Sequence, residues 1–400
     1  MYSYESLPTT TRTSKENVEN TNLPRMPVAR LTGHDGPVQA IAFTADGKWC
    51  LTGGLDRTVK LWNPFRVDPQ YIASATTKPS RHIRNNTALR EKEELAFHGL
   101  PSALNIQTYS GGLTHDIADL CVTTTPSLSS SSSQTLLAAS NQTLVVIDLV
   151  SSQVKRRLGQ NHHTGRINAV AATTQYGGDA YVTGSYDATV AIWDGRSRDV
   201  KPLQVLKDAK DSVTSVHVQE RTWDGGDHHS GNNSKDYSKN IAVIRTGSVD
   251  GVLRSYDLRK GLLQSDDFGS PITSMAHTKD GKCLAVSCLD GTIRLMELET
   301  GELLNTYKSH HTAGKYGLDV DILADDATII TGSENGACAL YDLVRSDVVQ
   351  TLEGPARRPT CTVTAHPKQS SVVVAASYDN STVVWSHDDN PWQDQLRDVP

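Results

Sequence analysis

Two sets of side chains in this sequence are of the types that do nucleophilic chemistry. His34, Thr52, Asp56 and Trp62 form one, and His163 (with His162 beside it), Thr183, Asp187 and Trp193 form the other. An imidazole between a carboxylate and a hydroxyl is how a hydrolase activates its nucleophile: the acid orients the ring and the ring takes the hydroxyl proton. A catalytic set need occur only once, whereas this one occurs twice in the same frame. The repetition favours a structural role, in which an Asp in a tight turn accepts from His, and Thr and Trp hold the far side of the ring. An enzyme is therefore not expected, nor a cofactor.

The frame that carries the two sets recurs seven times. The copies read TGGLDRTVKLWN (52–63), AASNQTLVVID (138–148), TGSYDATVAIWD (183–194), TGSVDGVLRSYD (246–257), VSCLDGTIRLME (286–297), TGSENGACALYD (331–342) and AASYDNSTVVW (375–385). Each is a small-residue pair, an acidic or amide turn and an apolar run closed by Trp62, Ile147, Trp193, Tyr256, Met296, Tyr341 or Trp385. Alternating segments such as VQAIAF (38–43) and VTSVHV (213–218) have the period of strands. A repeat of about 40–45 residues with this pattern marks a WD40 β-propeller. The fold expected is all-β, with seven blades. The stretch 64–103 has no small-residue turn and no closing aromatic to make an eighth.

The propeller is expected over 27–386, between a disordered tail at 1–26 and a second tail at 387–400. The last repeat supplies three strands, so 27–32 should provide the outer strand of blade seven and remove the open edges of the ring. Insertions at 66–103 (with a weakly helical TALREKEELAFHG), 123–135 and 220–240 fall in connections between first and second or third and fourth strands of a blade. All three therefore leave one face, and the opposite face keeps short loops.

Composition narrows the function. There are 39 basic and 45 acidic residues, a formal charge of −6, and no basic excess to suit a phosphate backbone. The cysteines (Cys50, Cys121, Cys283, Cys288, Cys338, Cys361) are scattered in strands without a CxxC pair, as reduced thiols of the cytoplasm or nucleus would be. The first residues have no apolar core of a secretory signal, and no apolar run is long enough to span a membrane. Asp227, His228 and His229 read as a solvated loop rather than metal ligands. The Ser-rich run 127–133 reads as linker.

Partner-binding candidates come from the short-loop face. The residue before each turn acid is Leu55, Ser140, Tyr186, Val249, Leu289, Glu334 or Tyr378, and each is expected to point toward the central opening. Arg166, Lys315, Arg357 and Arg358 lie in neighbouring loops. Tyrosines and aliphatics beside cations have the composition of a protein-binding hot spot. Two repeats end in WDGR (193–196) and YDLR (256–259). Arg196 and Arg259 there resemble the ends by which some propellers dock onto cullin adaptors, the alternative being a substrate receptor of a ubiquitin ligase.

KLWNPFR (60–66), DSVTSVHV (211–218), GSVDGVLRSYDLRKG (247–261), GSPITSMAHTKDGK (269–282) and TGELLNTYKSHH (300–311) fall in an order that resembles the mitogen-activated protein kinase organizer family, also called WD repeat-containing protein 83. The likeness covers about 28–386 outside the insertions. It departs in blade two, where SGGLTHDI (110–117) replaces the Gly-His signature. The resemblance implies a non-enzymatic scaffold in cytoplasm and nucleus. Its implied partners are spliceosomal proteins at the catalytic stage of pre-mRNA splicing and members of the extracellular-signal-regulated kinase cascade, with no direct nucleic acid and no membrane.

Overall fold

The segments between turns are rich in Val, Ile, Leu and Thr, which suit a pleated surface packed on both sides. Gly, Asp, Asn and Ser collect at the connections, where turns need them. The structure, a computed structural model, describes residues 22–68, 100–125, 133–173, 180–221, 241–257, 261–354 and 356–387. Among the described residues there is no helix.

Strand β1 (Met26–Arg30) comes first. Blade one holds β2 (Val38–Phe43), β3 (Cys50–Gly54), β4 (Val59–Val67) and β5 (Ala103–Tyr109). Blade two holds β6 (Ile117–Thr125), β7 (Ser133–Ser140), β8 (Thr143–Asp148) and β9 (Val154–Leu158). Blade three holds β10 (Ile167–Thr173), β11 (Ala180–Ser185), β12 (Val190–Asp194) and β13 (Gln204–Leu206). Blade four holds β14 (Val213–Arg221), β15 (Ile241–Ser248), β16 (Val252–Asp257) and β17 (Gly261–Asp267). Blade five holds β18 (Ile272–His277), β19 (Cys283–Cys288), β20 (Ile293–Glu297) and β21 (Leu303–Tyr307). Blade six holds β22 (Val320–Ile322), β23 (Thr328–Gly332), β24 (Cys338–Asp342) and β25 (Val348–Leu352). Blade seven holds β26 (Thr360–Ala365), β27 (Val373–Ser377) and β28 (Thr382–Ser386), with β1 as its fourth strand.

All seven sheets are four-stranded, and the first strand of each blade lines a central channel. In blade seven, β1 pairs antiparallel with β28, Ala29 opposite Val384 and Pro27 opposite Trp385. Two ends of the chain thus make one sheet.

The core lies between blades. Leu136 and Ala138 of β7 pack against Leu51, Val59 and Leu61 of blade one, while Leu137 and Ala139 of the same strand pack against Ile167, Val170 and Trp193 of blade three. Alternation along a strand therefore serves two neighbours, which is why both sets are apolar. The small-residue pair follows from the same packing. A Cβ on Gly53 would stand 2.6 Å from Ile117, one on Gly184 2.6 Å from Val213, and one on Gly247 2.6 Å from Ile272. At each of these glycines the inner strand of the next blade runs too close for a side chain.

Six inner strands carry a register shift at their second residue. Such a bulge re-aims a side chain, and here it sends some of them to the next blade. Asn168 Nδ2 donates to Val213 O at 3.0 Å, Thr214 Oγ1 to Ile272 O at 2.7 Å, and Thr273 Oγ1 to Leu318 O at 3.1 Å.

Several boundaries differ from those the sequence suggests. The ladder of blade two continues through Thr123–Thr135, Thr124–Gln134 and Thr125–Ser133, because β-branched Thr extends a strand where composition reads as linker. Glu220 and Arg221 pair with Ala242 and Ile241, and Val67 pairs with Ala103, so all three insertions are shorter than 66–103, 123–135 and 220–240. The stretch TALREKEELAFHG, most of the Ser-rich run, the Asp227–His229 cluster and residues 1–21 and 388–400 lie outside the described residues. Of the N-terminal tail expected to reach residue 26, the described part begins at Asn22. Leu23 is buried among Leu323, Val363 and Trp385, and Arg25 N donates to Ser386 O at 2.9 Å.

Leu23 therefore seals blade seven at its outer end. Leu23→Ala is expected to lower stability by about 2–5 kcal/mol, the range for emptying a buried leucine site. Urea unfolding followed by tryptophan fluorescence measures it, and an unchanged midpoint would remove Leu23 from the core.

Candidate functional site

The two chemically suggestive sets assemble on the short-loop face. In blade one, His34 Nδ1 lies 2.9 Å from Asp56 Oδ2, His34 Nε2 2.7 Å from Thr52 Oγ1, and Trp62 Nε1 donates to Thr52 Oγ1 at 2.8 Å. In blade three the partner is His163, not His162, with His163 Nε2 2.8 Å from Thr183 Oγ1, Trp193 Nε1 donating to Thr183 Oγ1 at 2.9 Å, and His163 Nδ1 3.3 Å from Asp187 Oδ2. Burial holds both imidazoles below their ordinary pKa despite the aspartates. The uncharged ring with its proton toward the carboxylate is the tautomer these contacts require.

Thr52 and Thr183 are both 0 % exposed. A hydroxyl sealed between an indole and an imidazole cannot meet a substrate, so these tetrads fasten the blade. Each aspartate also reaches the chain before its own blade: Asp56 accepts from Asp35 N, and Asp187 from Thr164 N. The turn between second and third strands is thereby tied to the loop that enters the blade.

In blades four and five the turn acid pairs instead with an arginine four residues on, in the third strand of the same blade. Arg254 Nη2 pairs with Asp250 Oδ2 at 2.7 Å, and Arg294 Nη2 with Asp290 Oδ2 at 3.0 Å. The signal was in the sequence as Asp-Gly-x-x-Arg in both repeats. Burial raises the Asp250 carboxyl, but Arg254, Ser248 and two backbone amides outweigh it, and the net pKa lies well below the carboxylate range. In blade six His311 Nδ1 meets the Tyr341 hydroxyl at 2.7 Å instead.

The residues before the turns have different fates. Tyr186 is 70 % exposed and Leu55 40 %; Val249 and Leu289 are half-buried. Of the group, Tyr378 lines the mouth of the channel, a cavity of about 130 Å³ shared with Arg166, Asp319 and Cys361. Tyr316, absent from the repeat pattern because it sits in the long loop into blade six, packs at a tilt against Tyr378 with ring centroids 5.6 Å apart.

Two of these residues are engaged locally. Glu334 is half-buried, and its Oε1 accepts from Lys315 N and Tyr316 N at 2.6 and 3.0 Å. Ser140 is buried and donates to His115 O at 3.1 Å. It pairs with Thr143 across a two-residue connection, so blade two lacks the longer turn that exposes Tyr186. Arg196 is exposed where the chain leaves blade three's third strand, while Arg259 lies outside the described residues.

The channel below the mouth, about 270 Å³, contains Asp119, Asp319 and Asp321 in its wall. Asp119 Oδ2 accepts from Val170 N and Asp321 Oδ2 from Ala365 N, both on the next blade, at 2.7 and 2.8 Å. Enclosure, with Asp119 and Asp321 nearby, pushes the Asp319 carboxyl up to about 8. Among the described residues no group of three His, Cys, Asp or Glu is placed to hold a metal ion.

Two variants test these roles. Thr183→Val strands the Trp193 N–H and the His163 acceptor, and is expected to cost roughly 1–3 kcal/mol in urea unfolding; no loss would mean the tetrad does not fasten blade three. An Asp whose pKa is raised on folding binds its proton more tightly in the folded state. Its stabilising contribution is present below the unfolded value of 3.8 and is lost as pH rises toward about 8. Asp319→Asn should therefore match the parent's melting temperature near about pH 4 and exceed it at about pH 8. A difference independent of pH would place the titration elsewhere.

Comparisons with known proteins agree with this architecture. The WD domain, G-beta repeat model matches residues 25–63 and 154–194, each running from the outer strand of one blade through three strands of the next. The anaphase-promoting complex subunit 4 WD40 domain model matches 238–324. The WD repeat domain-containing protein 83 homolog of Dictyostelium discoideum is 29% identical over 362 residues, 89% of this chain and 96% of that protein. The WD repeat domain-containing protein 83 of Homo sapiens is 34% identical over 355 residues, 86% and 90% of the two chains, and that of Rattus norvegicus 34% over 330 residues, 82% and 83%. With the likeness spread over nearly the whole ring, the chain belongs to the WD repeat domain-containing protein 83 family of WD40 propellers.

Proposed function

We propose that this chain holds other proteins together through its short-loop face, as a scaffold in pre-mRNA splicing complexes, in a kinase cascade, or in both, in the cytoplasm and nucleus. A WD40 repeat scaffold for protein interaction is what the family supports, and the splicing and kinase roles rest on the family resemblance. The observation that carries the choice of face is the exposed Tyr186, with Tyr316 and Tyr378 at the channel mouth beside Arg166. Tyrosines supply large contact area with a polar handle, and such residues dominate binding energy where they cluster. The imidazole–carboxylate pairs are occupied in fastening blades, which removes the one hydrolytic arrangement the sequence offered. The ubiquitin-ligase alternative depends on two arginines, of which Arg196 alone is described.

Affinity purification with mass spectrometry tests the reading. Spliceosomal or kinase-cascade proteins are expected with the parent chain, reduced by about tenfold or more with Tyr186→Glu combined with Tyr378→Glu. The variant must retain the parent's circular dichroism. Undiminished capture by the folded double variant would remove this face, and recovery of a cullin adaptor lost on Arg196→Ala would favour the alternative.

A further inference from the structure

We infer that the channel mouth takes an acidic protein segment built around an aromatic or aliphatic residue. The inference rests on the short-loop face being the docking surface and adds the chemistry of its partner.

The apolar part of the site is the Tyr316–Tyr378 pair, tilted 48° to one another, with Tyr316 42 % exposed. Its backbone is fixed: Tyr378 N donates to Pro359 O at 3.1 Å, and Ser377 Oγ to Arg358 O at 2.9 Å. A ring or aliphatic side chain laid on this pair gains aromatic contact without first ordering the site.

The charge around the pair comes from cations. Lys315 is exposed next to Tyr316, and Arg358 is exposed in the loop that holds Tyr378. Arg166 reaches the same cavity from blade three. Its guanidinium lies 3.3 Å from Asp116, yet its side chain stays 45 % exposed.

The neighbouring acids are turned inward. Glu334 accepts from the Lys315 and Tyr316 amides. Asp379 accepts from Arg357 N at 2.7 Å, from Ser381 N at 2.9 Å and from the Ser381 hydroxyl. Glu353 is exposed just after the outermost strand β25, at the rim of the blade. A carboxylate arriving at the tyrosine pair therefore meets Arg166 at the cavity, with Lys315 and Arg358 on the flanking loops, while Asp319, which lines the same cavity, is kept mostly protonated by a pKa raised to about 8.

The chain as a whole carries −6, but at physiological salt charges act over about 8 Å, so the local cations decide. Arginine favours carboxylates by forked hydrogen bonding. Three cations grouped at one mouth suit a short acidic segment better than the continuous track that a nucleic-acid backbone requires.

The test uses the purified full chain and a random-peptide phage library. Enriched sequences should carry excess Asp and Glu around an aromatic or aliphatic residue. Synthetic copies should bind at least about tenfold more weakly to Lys315→Glu with Arg358→Glu, and should weaken with added salt. Enrichment of neutral or basic peptides that depend on Tyr378 would overturn the acidic chemistry and leave the docking face standing. Enrichment indifferent to both the charge reversal and Tyr186→Glu with Tyr378→Glu would overturn both. A single-stranded oligonucleotide that binds more tightly than every selected peptide, and is lost on the charge reversal, would overturn the protein partner in favour of nucleic acid.

Discussion

The sheets of this ring are buried on both faces, mostly by apolar side chains, so each needs a neighbour on either side. A row of such sheets has two unsatisfied ends, and only closure removes them. The pairing of β1 with β28 is that closure, supported by Leu23 beneath blade seven and by His387 Nδ1, which lies 3.2 Å from Leu23 O. The channel, the bulged inner strands and the face around its mouth all exist because the ends meet. Closure also joins residues distant in the chain, so its contacts must offset a long loop's entropy.

The same close packing explains why the fold could be read from the sequence. Gly53, Gly184 and Gly247 sit where the next blade's inner strand leaves no room for a Cβ, and a small residue is forced there in nearly every repeat. The seven blades, the closing strand and the two His-Thr-Asp-Trp sets repeat locally and were visible. Leu23 was not, because a single leucine in a polar tail has no periodicity and its partners are hundreds of residues away. Tyr316 escaped for a similar reason: it comes from an irregular loop, and its importance is its neighbour Tyr378 rather than its spacing. Blade two misled in another way. Its turn is shorter than the others, so aligning letters placed Ser140 on the rim when the backbone puts it inside.

The turn acids show how one position serves different chemistries. Asp56, Asp187, Asp250, Asp290 and Asp379 each accept from the amide two residues on, at Thr58, Thr189, Val252, Thr292 and Ser381. The requirement is a carboxylate that organises a turn, so the side chain that donates to it is free to vary. It is an imidazole in blades one and three and a guanidinium in blades four and five. A histidine paired with an aspartate in this fold is therefore one solution to a fastening problem, and its likeness to a hydrolytic pair is a likeness of geometry alone.

That fastening also sets the character of the exposed face. A carboxylate whose oxygens accept backbone amides directs its negative potential into the protein, and each such acid is subtracted from what a partner meets outside. Glu334 and Asp379 are in that position beside the tyrosine pair, while Lys315 and Arg358 on the adjacent loops extend outward. The charged side chains left exposed around the tyrosine pair thus include Lys315, Arg358 and Arg166, although the chain has more acids than bases. The sign of that surface cannot be obtained by counting charges along the sequence, because it depends on which acids the turns have already engaged.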